Sequence, residues 1–261
     1  MSRTLPLVVR YGQLLATEGV VRGLIGPREV PRLWDRHLLN SFALAPALAP
    51  GIRVADVGSG AGLPGVVLAI GRPDLEVTLV EPLLRRTTFL AEVVQEMGLE
   101  NVTVVRARAE EVHGSAVFDV VTSRAVAPLG RLLEWCMPLV GADGQVLALK
   151  GASAADEVRA VRPLLARHGW AAPELVVVGP DGVRPAPGEG EAADPPGERE
   201  PTRPGGSSTV RAVRVRWADP SRVSSPIGRH RSDGASGRGP RRGTPAGGRR
   251  GGSGGGGRTA R

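Results

Sequence analysis

Cysteine is nearly missing from this 261-residue chain, where Cys136 stands alone. A single cysteine excludes an intramolecular disulfide framework and fits a reducing compartment. Beside Trp135 it reads as a small buried hydrophobe rather than a reactive thiol. Lysine is as scarce: Lys150 is the one lysine among 34 Lys and Arg residues. In a chain this rich in Arg, Ala, Gly and Pro, the pattern of GC-rich coding, a lysine marks its position for attention. No apolar run approaches the roughly 18 residues that a membrane helix needs. Met1 to Val9 is too short for a secretory signal. Arg3, Arg10 and Arg22, with no acid before Glu18, fit an amphipathic helix better than a transit peptide. No His, Cys and Asp spacing near the N-terminus suggests a metal.

The formal net charge of +8 is unevenly spread. Ten arginines against one aspartate lie between Pro220 and Arg261, which leaves the first 219 residues one charge short of neutral. The basicity belongs to a tail, so a nucleic-acid role is not inferred from the overall charge. Beyond Ala218 the chain holds Gly, Arg, Ser and Pro with no aromatic residue. It cannot pack a core and could attract RNA phosphates only by charge.

What is present reads as an α/β chain. Leu5 to Val21 and Val30 to Leu48 carry apolar residues at helical spacing and are expected to form an N-terminal helical cap over residues 1–50. In the second segment Arg32, Asp35, Arg36, His37, Asn40 and Ser41 form a polar cluster. It reads either as a solvated helix face or as a lid facing a ligand corner. His37 is expected either to meet an RNA phosphate or to pack against neighbouring backbone.

Strands are then expected at Ile52 to Val57, Leu75 to Val80, Val102 to Arg106, Phe118 to Thr122, Gln145 to Lys150 and Glu174 to Val178. Helices alternate with them, and Asp143-Gly144 reads as a turn. This alternation implies a parallel sheet covered on both faces. Pro180 to Ser208 reads as a flexible loop or hairpin excursion. Thr209 to Trp217 alternates apolar and polar, as an antiparallel seventh strand at the sheet edge would. The expected domains are thus a cap (1–50), an α/β domain (51–218) and a disordered tail (219–261).

The chain is organised around Val54-Ala-Asp-Val-Gly-Ser-Gly-Ala-Gly-Leu-Pro-Gly65. A strand, a glycine turn and a helix N-terminus make the ligand corner of a doubly wound sheet. Gly60-Ala-Gly-Leu-Pro-Gly65 fits the dinucleotide pattern, but that string alone is weak. Asp56, just before the glycines, would repel a pyrophosphate and suits the ammonium and sulfonium of S-adenosylmethionine. Glu81, ending the next strand, can accept from two ribose hydroxyls. Other strand ends supply Ala109 and Glu110, where a carboxylate could accept from an adenine amino group, and then Arg124 and Lys150. An unpaired buried charge is costly, so Arg124 is expected to face the cleft.

Four pieces together resemble the ribosomal RNA small subunit methyltransferase G family, also called the glucose-inhibited division protein B family. They are Trp34-Asp-Arg-His-Leu-Leu-Asn-Ser41, Asp56 to Gly65, Ser123-Arg-Ala125 and Leu149-Lys-Gly151. The resemblance spans about Leu14 to Gly179 and the last strand. It implies a Rossmann-like, seven-stranded class I S-adenosylmethionine-dependent methyltransferase fold in a cytoplasmic enzyme. It also implies methylation of guanine N7 in 16S rRNA near the decoding site, on rRNA or the small ribosomal subunit. By motif match, Gly58, Leu63, Ala109, Glu110 and Arg124 correspond to cofactor contacts. Pro180 to Ser208 and the Arg/Gly tail lie outside the pattern.

Guanine N7 has a free lone pair, so alignment carries most of the catalysis. Lys150 or Arg124 is expected to hold guanine O6 without covering N7. A methyltransferase acting on a small molecule or protein, a nicotinamide-dependent oxidoreductase and a non-catalytic RNA-binding module remain the alternatives.

Overall fold

Five apolar stretches pair in parallel: β1 (Arg53–Val57), β2 (Glu76–Val80), β3 (Val102–Val105), β4 (Phe118–Arg124) and β5 (Val140–Leu149). The computed structural model describes residues 4–186 and 209–223. With β6 (Glu174–Gly179), β7 (Gly182–Pro185) and β8 (Val210–Val215) these make one sheet, ordered β3-β2-β1-β4-β5-β8-β6-β7. The chain runs outward from β1 to β3, then returns to build β4 on the other side. The reversal lies between β1 and β4, where open α/β sheets bind their ligands.

Strand periodicity of two sorts the core into two layers. Val54, Leu79, Val120 and Leu147 pack under the N-terminal helices α1 (Thr4–Leu14) and α2 (Asn40–Phe42), with α3 (Gly65–Gly71) and α4 (Leu84–Met97). Ala55, Val57, Val121 and Ala148 pack on the opposite face against α6 (Leu129–Cys136) and α7 (Ala154–Val161). The short helices α5 (Ala109–Val112) and α8 (Leu165–His168) complete that side. Gly98, at φ 58, ends α4 in the left-handed conformation.

The cap is less regular than its periodicity suggests. α1 continues through a wide-turn segment, Leu15–Gly19; a second, Leu33–Leu39, leads into α2. Pro27–Arg32 precedes it as a tight 3₁₀ segment with Pro31 inside. Wide turns add a residue per turn and recur at functional sites; this one carries His37.

Two expectations about the sheet change. β8 is antiparallel, but it lies between β5 and β6 rather than at the edge. Its alternation misleads because Ala212 and Val213, on opposite faces, are both fully buried, one in each core layer. The edge is instead β7, which pairs with β6 through the tight Gly179–Gly182 connection. Asp143-Gly144 lies inside β5, where pairing jumps from Phe118–Val140 to Val120–Gln145, so the expected turn is a bulge. The expected loop is described only to residue 186 and the tail only to Val223; the rest of both lies outside the described residues. Among those residues no helix is long and apolar enough to cross a membrane, and no group of three His, Cys, Asp or Glu could hold a metal.

The seam between turn and sheet leaves no room at Gly65. A Cβ there would stand 2.4 Å from Leu79 Cδ2 and 2.8 Å from Asp56 Oδ2. Gly65→Ala is expected to destabilise the protein by about 1–3 kcal/mol. Gly26→Ala, where the nearest atom would be 3.9 Å away, should leave the melting temperature within a degree or two of wild type in differential scanning calorimetry.

Candidate active site

Gly60 and Gly62 both turn with positive φ, at 57° and 97°. Gly62 is packed shut: a Cβ would lie 2.5 Å from Val66 Cγ2 and 2.8 Å from the Tyr11 hydroxyl. That hydroxyl donates to Ala61 O at 2.6 Å, so α1 holds the turn from the cap side. Gly60 is open: a Cβ there would find nothing closer than Gly58 O, at 3.8 Å. Backbone exposed in this way can be approached closely by a ligand.

Two buried carboxylates clamp the turn. Asp56, expected from its sequence position to face the ligand, is engaged by the turn itself. It is completely buried, with Oδ2 accepting from Gly65 N at 2.9 Å. The acid therefore braces the first turn of α3 from beneath. Its Oδ1 has no partner among the described residues. Burial pushes its carboxyl up from the ordinary 3.8 to about 7, against the pull of the Gly65 N–H and the Arg124 charge; neighbouring Glu81 adds to the rise. Glu81 is also buried, and accepts from Gly60 N at 3.0 Å, Leu83 N at 3.1 Å and Arg86 Nη1 at 3.4 Å. An ionised carboxylate has about four acceptor sites, so capacity remains for further donors. Next to β2, β3 leads into α5. There Ala109 is buried and Glu110 exposed in the first turn, while Leu63 is buried behind the glycines.

Across β4 and β5 the same periodicity sends two cations to opposite faces. Arg124 turns toward the cap. Its Nη1 lies 3.4 Å from both His37 O and Ser41 Oγ, and its Nη2 meets His37 Nδ1. Lys150 turns toward α7, and Nζ donates to Ala127 O and Glu157 Oε2, each at 2.7 Å. Glu157 also accepts from Leu129 N at 2.7 Å and Ser153 Oγ at 2.9 Å. Burial raises the Glu157 carboxyl, but these hydrogen bonds outweigh it and hold it below its ordinary range. Lys150 thus ties down the loop from Arg124 to Leu129 while keeping one ammonium proton spare.

Arg124, Lys150 and Glu157 line a cleft of about 560 Å³, together with Arg36, Asn40 and Val126. Ala125, at φ 56, holds a strained backbone in its wall. Val126 is shared by cleft and turn: a Cβ on Gly58 would lie 2.6 Å from Val126 Cγ2. Of the polar cap cluster, Arg36 and Asn40 line this cleft, and His37 and Ser41 are buried against Arg124. The lid alternative describes these four better than a solvated face does.

Three participants escape a reading of the sequence. Tyr11 is legible there only as an apolar helix position, although a buried phenol needs a partner. Glu29 holds His37 Nε2 at 2.8 Å, and Glu157 neutralises Lys150. Both acids sit in helical first turns, where a carboxylate is ordinary, so no local signal singles them out.

Comparison with known proteins gives one family. A family profile described as rRNA small subunit methyltransferase G matches residues 4–179. A Nocardioides protein named ribosomal RNA small subunit methyltransferase G is 57% identical over 238 residues, 91% of this chain and 86% of the relative. A Thermobifida fusca protein of the same name is 55% identical over 185 residues, covering 71% and 78% of the two chains.

The raised Asp56 value makes a stability prediction. Its folded-state pKa lies above the unfolded one, so the folded protein holds this proton more tightly between about pH 4 and 7. The group's stabilising contribution is present below pH 4 and is lost as pH rises through 7. Asp56→Asn keeps the acceptor for Gly65 N–H and never ionises. Its melting temperature relative to wild type should climb from pH 4 to about pH 7 and level off above it; a difference that does not change with pH would refute the assignment.

Proposed function

The chain belongs to the rRNA small subunit methyltransferase G family and is an S-adenosylmethionine-dependent methyltransferase, and from that premise we propose that it methylates N7 of a guanine in 16S rRNA. The observation that carries this reading is the shared wall. Val126 stands against Gly58 of the turn and also lines the cleft of Arg124 and Lys150, so a donor on the turn and a base in the cleft would meet across one side chain. About 560 Å³ is ample for a flipped or unpaired base.

The residues fit the cofactor. The open backbone at Gly60 and the remaining acceptor capacity of Glu81 suit a nucleoside with two ribose hydroxyls. Gly58, Leu63 and Glu81 would hold its sugar side, and Ala109 with Glu110 its adenine. Asp56 acts at one remove, by fixing the turn. When bound, S-adenosylmethionine supplies a methyl group on a sulfonium, whose C–S bond breaks as the C–N7 bond forms and the positive charge passes to the guanine.

This chain's residues have then to orient and desolvate, since N7 carries no proton to remove. Lys150 donates its spare proton to guanine O6, beside N7 but not on it. A bidentate arginine across both atoms would block attack. Arg124, anchored to the cap, closes the side between turn and cleft. We read residues 1–50 as the cap, 51–218 as the methyltransferase domain and 219–261 as a tail outside the catalytic unit. The substrate, free 16S rRNA or the small subunit, puts the reaction in the cytoplasm.

The test offers labelled S-adenosylmethionine with protein-free 16S rRNA, with small subunits and with free nucleosides. Label should enter one of the first two at a single guanine, mapped by borohydride and aniline scission at 7-methylguanine. Label in the nucleosides alone, or in none of the three, overturns the proposal. S-adenosylhomocysteine should raise the melting temperature and NAD should not. Lys150→Gln is expected to lower turnover on RNA by about 10- to 100-fold, the worth of one charge-assisted hydrogen bond. Its affinity for S-adenosylhomocysteine should stay near wild type.

A further inference from the structure

Arg124 is separated from Glu29 by a single imidazole. His37 is buried, with one ring nitrogen on each of them. A guanidinium has no acceptor, so His37 Nδ1 must be the lone pair in this contact. Nε2 then carries the proton and donates to Glu29 Oε2 at 2.8 Å. Glu29 sets the tautomer, and the tautomer supplies the acceptor that Arg124 needs. Ser41, one helical turn from His37, donates its hydroxyl to His37 O at 2.6 Å. That leaves its oxygen a lone pair for Arg124 Nη1.

Both imidazole nitrogens are therefore occupied. That removes His37 as a general base, and its burial removes it as a contact for an RNA phosphate. What is left is orientation. We infer that His37, backed by Glu29, is a positioning residue for Arg124, so that the guanidinium is correctly placed between cofactor turn and cleft only while the cap is docked. The inference rests on the proposed part of Arg124 in the methyl-transfer site. His37 lies on the wide-turn segment Leu33–Leu39, and its Nδ1 meets Arg124 of β4.

The arrangement has a proton dependence. Around His37 stand Glu29 and Arg36 from the cap and Arg124 from β4; Arg32 acts on Glu29, and Asp56 and Tyr11 act on Arg124. Burial lowers the imidazole's pKa from 6.5, the Glu29 hydrogen bond opposes this, and the Arg124 charge reinforces it. His37 is thus neutral at pH 7. Protonation would turn Nδ1 into a donor facing donors and set a cation beside a cation. Arg124 is released only in acid below the ordinary imidazole range.

The test measures S-adenosylhomocysteine binding to the full chain by calorimetry from pH 5 to 8, with melting curves to confirm folding. Wild-type affinity should be flat from pH 7 to 8 and fall toward pH 5. His37→Asn keeps an acceptor near the Nδ1 position and cannot titrate; it should retain affinity within about threefold at pH 7.5 and lose the acid fall. His37→Leu, without an acceptor, should lose about tenfold or more at every pH. In an Arg124→Ala background it should cost nothing further, because coupled residues are not additive.

Two failures are distinguishable. Arg124→Ala that binds and turns over like wild type removes the proposed role of Arg124, whatever His37 does. Arg124→Ala that loses affinity, while His37→Leu is silent or fully additive with it, removes the positioning role alone. A His37→Asn profile with the wild-type acid fall also removes it, even where His37→Leu does not fold.

Discussion

A buried carboxylate under a glycine turn is the constraint on which the site depends. Asp56, next to last in β1, has no exposed surface and one oxygen on the backbone of Gly65. Leaving that N–H unmade, or the carboxylate unbraced, would cost more than a typical surface contact contributes. The turn is therefore pinned at its far end by Asp56 and at Gly60 by Glu81, while Tyr11 holds its middle. The glycine turn, proposed to carry the sugar side of the cofactor, takes its position from these three contacts.

The second organising fact is the alternation of strand side chains. β4 sends Arg124 to the cap face and β5 sends Lys150 to the face of α7, because successive residues point to opposite sides. Each cation is met by a different partner set: His37 and Ser41 in one case, Glu157 and Ala127 O in the other. Two basic strand ends that look equivalent in the sequence thus separate into one that joins β4 to the cap and one that anchors the cleft loop. Val126, between them in the chain, is where turn and cleft touch.

Much of the fold is legible because it is written locally. Strands β1 to β4 and β6 appear as apolar runs, α4 is closed by Gly98, and the glycine turn announces the ligand corner. The misreadings share a cause: they concern which neighbour a segment acquires. β8 looks half-exposed until both Ala212 and Val213 are covered, one from each side of the sheet. Asp56 gives no sign in the sequence of the Gly65 N–H that α3 brings to it. His37, legible as either an RNA contact or a packed histidine, is buried with Glu29 and Arg124 on its two ring nitrogens.

The amino-acid sequence by itself determined the α/β alternation, the glycine corner, the residue types at the strand ends and the family motifs, since each is a pattern within a few neighbouring residues. Only the tertiary structure decided that Asp56 and Glu81 hydrogen-bond the backbone of the glycine turn, and that Glu29 and Glu157 are partners of His37 and Lys150. Those choices depend on burial and on contacts between residues far apart in the chain. A carboxylate or an imidazole has no fixed role until the fold chooses its solvent and its hydrogen-bond partner.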